Sequence, residues 1–128
     1  ADDVSAWDIE RENPLYLPQS KIFRGCCSFG PVIVTADSAI DPLNLTLRCI
    51  IERDRRPVFA GEASTARIKR SFAELIDYLT RDNPIPAPTL LLTGTGIIVP
   101  PEWALKHGDT VIIEAEGIGR IANPVVQL

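Results

Sequence analysis

Between Asn44 and Ile51 the apolar residues Leu45, Leu47, Cys49 and Ile51 fall at every second position, with Asn44, Thr46 and Arg48 among the positions between them. Side chains of a strand point alternately to opposite faces, so this period of two fits a strand with one face in a core. The run ends in Glu52-Arg53-Asp54-Arg55-Arg56, a charged turn, and Val58-Phe59-Ala60 follows. That order predicts an antiparallel hairpin.

Further strands are expected at Pro31-Val32-Ile33-Val34-Thr35, a short buried-type run, at Thr89 to Thr93, at Thr110 to Glu116 and at Ile121 to Val126. Pro14 and Pro18 flank Leu15-Tyr16-Leu17 and make residues 1–20 an extended or turn-rich segment. One helix is expected. Ser71 and Glu74 form an S-x-x-E capping box, and Phe72, Leu75, Ile76 and Leu79 follow at helical spacing, ending near Thr80. Pro84, Pro86 and Pro88 then force an extended connection. The sum is a single domain over 1–128, mainly β in the α+β class, with one main helix near 71–80 and no internal repeat.

Composition narrows the function classes. The chain has 128 residues, 45% hydrophobic, with 13 basic and 17 acidic side chains and a net charge of −4. Phosphate binding needs a surplus of Lys and Arg, so a nucleic-acid partner is not expected. No apolar run approaches the roughly 18 residues of a membrane span. Three cysteines, an odd number with no signal-peptide pattern, fit a reducing cytoplasm better than a disulfide framework. The chain has no methionine and opens on Ala1-Asp2-Asp3, so either an initiator was removed or the piece was cut from a longer protein.

Few residues carry a chemical signal by themselves. Zinc would need four Cys or His ligands at finger-like spacing, whereas Cys26-Cys27, Cys49 and His107 are scattered, and buried small hydrophobes are the commoner role for such cysteines. His107, in Lys106-His107-Gly108-Asp109, reads as an exposed turn histidine rather than a triad base. Thr93-Gly94-Thr95-Gly96 and Gly117-Ile118-Gly119 complete no phosphate-loop pattern and read as positive-φ turns. Asp2, Asp3 and Asp8 could offer oxygens to a hard cation, or form a solvated terminus. Lys21, between the proline segment and Gly25-Cys26-Cys27-Ser28, is a candidate acid or base beside such a site, against the commoner solvated lysine.

Several blocks together resemble the C-terminal portion of the fumarylacetoacetate hydrolase superfamily. They are Asp2-Asp3-Val4-Ser5-Ala6-Trp7-Asp8, similar to N-D-x-S-x-R-D; Phe29 to Asp37; Asp41 to Leu45; Leu92 to Gly96; Gly108-Asp109; and Glu116 to Arg120 with Asn123-Pro124-Val125. Glu12 to Lys21 and Thr93 to Pro101 further resemble the branch that dehydrates 2-keto-3-deoxy-arabinonate or -xylonate. The resemblance implies a mixed β-sandwich roll and a homo-oligomer, dimer or higher. It implies Mg²⁺, with Mn²⁺ or Ca²⁺ as alternatives, and a small 2-keto acid substrate.

On that pattern Asp3 matches a metal-ligand aspartate, Lys21 the active-site lysine, and Thr95 with Gly94 the substrate-binding loop. The implied reaction removes a C3 proton through a metal-stabilised enolate and expels the C4 hydroxyl. A C–C bond hydrolase, an oxaloacetate-like decarboxylase and a non-catalytic oligomerising scaffold are the alternatives. The departures are specific: the family's Glu-x-Glu ligands lie upstream of the first block, Trp7 stands where Arg is usual, Arg24 where Asp is frequent, and Cys26 where this branch tends to have Ser.

Overall fold

In a computed structural model of the chain, which describes residues 1–127, six strands form two open antiparallel sheets. The strands are β1 (Asp2–Asp3), β2 (Cys27–Ser28), β3 (Thr46–Arg53), β4 (Arg56–Ser64), β5 (Thr110–Ala115) and β6 (Gly119–Pro124), and the helices are α1 (Trp7–Glu12) and α2 (Phe72–Thr80). β1 and β2 make a two-stranded ribbon, and the larger sheet runs β4-β3-β5-β6. The architecture is mainly β with few helices, as the sequence predicts.

The alternation in β3 does what its period requires. Cys49 and Ile51 are buried on one face, and Cys49 pairs with Gly61 and Ile113, Ile51 with Phe59 and Val111. Burial pushes the Cys49 thiol up to about 11, so it stays protonated in the core. Adjacent residues of a strand face opposite ways, yet Val111 and Ile112 are both buried, so the middle of β5 is covered on both sides. The hairpin turn sits at Asp54 and Arg55, both with positive φ, which suits the right-handed twist of the strands it joins.

One row crosses all four strands. Arg48 lies opposite Glu62 on β4 and Glu114 on β5, and Glu114 lies opposite Arg120 on β6. The signs alternate along it, with Arg48 to Glu62 at 2.9 Å and Arg120 to Glu114 at 3.4 Å.

Asp109 anchors the entry to β5. It is 1% exposed, takes both Nε and Nη2 of Arg53 at 2.8 Å, and accepts the Lys106 N–H as well. The Arg53 guanidinium holds its carboxyl below the usual carboxylate range, and the Lys106 amide adds to this against the opposing effect of burial. Arg53 also donates to the Ala104 carbonyl, so the pair ties the 104–109 loop to the end of β3.

Three expectations are corrected. Pro31–Thr35 and Thr89–Thr93 form no strands and lie on the surface, with Ile33 84% and Leu90 56% exposed. A continuous apolar run marks a segment that wants cover, but it carries no pairing information, and among the described residues neither run has a strand partner. The segment containing Pro31 instead lies over β6, with the proline ring in the space that a side chain at Gly119 would fill. Residues 7–12 are helical, where only an extended or turn-rich segment is expected. Asp8 and Glu10 in its first turn and Arg11 in its last complement the helix dipole.

α2 starts as expected, the Ser71 hydroxyl accepting the Glu74 N–H at 3.1 Å. Glu74 itself pairs with Arg70 rather than closing the box onto Ser71. Among the described residues no helix is long and apolar enough to cross a membrane.

Candidate active site

The ribbon brings together two of the predicted site residues. Asp3 and Lys21 are 18 residues apart in sequence, and the Lys21 ammonium donates to Asp3 Oδ2 at 2.9 Å. Both side chains are partly open to solvent, 31% for Lys21 and 39% for Asp3. An exposed pair of this kind contributes little to stability.

The backbone around Lys21 is held at several points. Ser20 is fully buried, its hydroxyl donates to the Leu17 carbonyl, and its own carbonyl accepts the Ala6 N–H. The Lys21 N–H donates to the Pro18 carbonyl, and the Lys21 carbonyl accepts the Cys26 thiol at 3.0 Å. Pro14 and Pro18 favour the two short 3₁₀ turns, Pro14–Tyr16 and Gln19–Lys21, that aim the lysine back at β1.

Asp3 is placed by the pairing of β1 with β2, in which Asp3 stands opposite Cys27 and Asp2 opposite Ser28. The Val4 N–H extends the pairing by donating to the Cys26 carbonyl. Cys27 therefore shares Asp3's face, and partial burial together with the Asp3 charge raises its thiol pKa. Asp2 points the other way and accepts a hydrogen bond from Asn123 of β6 at 2.9 Å. Sequence reading missed Cys27 and Asn123; the alternation of Asp2 and Asp3 was the signal, and two residues are too few to show a period.

Thr95 and Gly94 are not joined to this pair by any hydrogen bond among the described residues. The Thr95 hydroxyl is engaged locally, accepting the Ile97 N–H and donating to the Ile97 carbonyl, both at 3.1 Å. Gly94 has φ +102°, as its turn requires. The loop lies against β4, with Ile97 over Gly61 and Gly96 over Ala63. Gly61 and Ala63 share a sheet face with Asn123, the face that the ribbon also covers. His107 is an exposed turn residue, as expected, and its Nδ1 accepts the Gln127 N–H.

The carboxylate of Asp3 is a hard oxygen donor of the kind Mg²⁺ takes, and such an ion is commonly held by only one or two protein carboxylates plus water and substrate. The fit is right in kind. In number it is partial, since no group of three His, Cys, Asp or Glu side chains able to hold a metal occurs among the described residues. Where the sequence pattern departs, the Trp7 ring carries the Arg11 guanidinium 4.4 Å from its centre, and Arg24 is exposed.

A mainly β domain that presents an aspartate and a lysine on a short ribbon over a four-stranded sheet matches one family along nearly its whole length. The profile of the fumarylacetoacetate (FAA) hydrolase C-terminal family covers residues 1–126, and the chain belongs to that family. It is 51% identical over 124 residues to the 2-dehydro-3-deoxy-D-arabinonate dehydratase of Saccharolobus solfataricus, covering 97% of this chain and 42% of the relative. It superposes with TM-score 0.94 and 49% identity on a structure of 2-keto-3-deoxy-D-arabinonate dehydratase complexed with magnesium and 2,5-dioxopentanoate, covering 98% of this chain and 45% of that one. A mitochondrial oxaloacetate tautomerase of Xenopus laevis is 33% identical over 132 residues, covering 98% of this chain and 40% of the relative. The chain thus spans less than half the length of the relatives it matches.

Proposed function

We propose that the chain is the C-terminal part of the catalytic domain of a magnesium-dependent dehydratase acting on a 2-keto-3-deoxy sugar acid of the arabinonate or xylonate type. The observation that carries this reading is the Asp3–Lys21 pair, presented on the surface of a chain 51% identical to such an enzyme. Mg²⁺, or Mn²⁺ or Ca²⁺ in its place, would be held in part by Asp3. When bound, it supplies Lewis-acid stabilisation of negative charge on the substrate oxygens.

The work of the chain's own residues follows from their positions. Dehydration takes a proton from C3 to give the C2 enolate, which re-forms the ketone as the C4 hydroxyl, protonated, leaves as water and a C3=C4 double bond forms; tautomerisation of that double bond towards C5 turns the C5 carbinol into an aldehyde. The Lys21 ammonium can give its proton to the departing C4 hydroxyl, or neutralise charge on a substrate oxygen as C3 loses its proton. Asp3 keeps the ammonium oriented. Gly94 leaves the loop backbone open, and Thr95 would turn its hydroxyl from Ile97 to a substrate carboxylate. The reading further places the enzyme in the cytoplasm as a homo-oligomer. Leu15, Ile22, Ile33 and Ile98, each at least 70% exposed, supply apolar surface for association. Light scattering of the complete gene product should give a dimer or larger, and a clean monomer would reject that part.

The deciding assay incubates the complete gene product with 2-keto-3-deoxy-D-arabinonate. Turnover with Mg²⁺ that stops with EDTA is the expected result; no product under either condition would leave a non-catalytic scaffold, the reading that Trp7 and Arg24 favour. The 33% identity to an oxaloacetate tautomerase favours a second reading in which transfer of a proton between the carbon next to the ketone and the ketone oxygen is the whole reaction. Enol formation from oxaloacetate, without water loss from the sugar acid, would select it.

A further inference from the structure

We propose that Asn123 is a positioning residue for the Asp3–Lys21 pair, acting through Asp2. Among the described residues, the bond from Asn123 Nδ2 to Asp2 Oδ2 is the one hydrogen bond between residues 1–44 and the four-stranded sheet. It spans 121 positions of sequence and joins β1 to the edge strand β6. Ser28, directly opposite Asp2, buries its hydroxyl without a hydrogen-bond partner among the described residues and adds no second tether.

The lever is the strand period. Asp2 and Asp3 point to opposite faces of the ribbon, so fixing Asp2 against the sheet fixes the roll of β1 and hence the direction in which Asp3 leaves it. The pairing of β1 with β2, extended by the Val4 and Ala6 N–H groups, holds β1 to its own segment, while the roll of that segment against the sheet is left to contacts with β6. Apolar contacts also join these parts, Pro31 over Gly119 and Ile121 near Gly30, and such contacts set distance more than orientation. A polar bond at the strand itself is directional, and its loss would leave Asp3 free to swing from Lys21. The inference rests on the reading of Asp3 as a metal ligand where its consequence for metal binding is concerned; the tether itself does not.

Two measurements on the complete gene product test it, hydrogen exchange followed by mass spectrometry and titration with Mn²⁺. Asn123→Ala should speed exchange in peptides covering 1–6 and 24–28 and weaken Mn²⁺ binding about 10–100-fold, the range found when a group orienting a metal ligand is removed. Asp2→Asn should leave both near the parent, since an amide oxygen still accepts the bond. Asn123→Asp combined with Asp2→Asn, which reverses donor and acceptor, should restore both.

Unchanged exchange in Asn123→Ala, or faster exchange with parental Mn²⁺ affinity, overturns the positioning role. A parent protein that binds no Mn²⁺ overturns the metal reading instead, and the exchange data then still decide the tether.

Discussion

On the dehydratase activity proposed above, Lys21→Ala in the complete gene product should lower kcat for water loss from 2-keto-3-deoxy-D-arabinonate by about 10²–10⁴-fold, the usual contribution of a positioned proton donor or acceptor. The side chain is partly exposed and its backbone is held by Ser20, Pro18 and Cys26, so its removal should leave the fold intact. Lys21→Arg should not rescue the rate. A guanidinium keeps the positive charge beside Asp3, but it does not give up its proton and its planar fork cannot occupy the space of an ammonium. Steady-state kinetics with Mg²⁺ at saturation separates the effect on kcat from any effect on metal affinity. Parental kcat in Lys21→Ala would remove the lysine from the chemistry.

Asp109→Asn should destabilise the fold by about 1–3 kcal/mol, because the buried carboxylate that accepts from Arg53 and from the Lys106 N–H is replaced by an amide that can accept only part of this set. Urea unfolding at neutral pH measures it. The sign of the pH dependence follows from the depressed carboxyl. Its stabilisation is fully present above the unfolded carboxylate pKa of about 3.9 and is lost as pH falls through the lower folded value. Asn does not titrate, so the variant should lack this part of the acid-induced loss. Equal acid sensitivity in parent and variant would show that Asp109 is not held as its partners indicate.

The parts of the fold legible in the sequence are those with a repeating signal. β3 announces itself by alternation over eight positions, the hairpin by its charged turn, and α2 by a cap followed by helical spacing. β1 and β2 carry no such signal at two residues each, and α1 is masked by prolines just beyond it. The runs at 31–35 and 89–93 fail for a different reason, since apolar character predicts cover and not strand pairing.

The site divides in the same way. Asp3 and Lys21 stand out by residue type and placement, resemblance to a family pattern gives each a role, and the fold does bring them together. The fold does not join Thr95 to them, because its hydroxyl closes a local turn on Ile97. Asn123 and Cys27 could not be read in advance, as their roles arise from pairings between segments up to 121 positions apart.

The row Glu62, Arg48, Glu114, Arg120 ties the register of the larger sheet to charge matching. Pairing any strand one residue out of step turns its member of the row onto the opposite face, which for β3 would put a guanidinium beside Ile113 or Ala115, where Cys49 or Leu47 belongs. A neutral row would let such a misfold persist as a near neighbour in energy. Here the error strands a charge among hydrocarbons and leaves its intended partners unmatched, which separates the wrong alignment from the native one in energy.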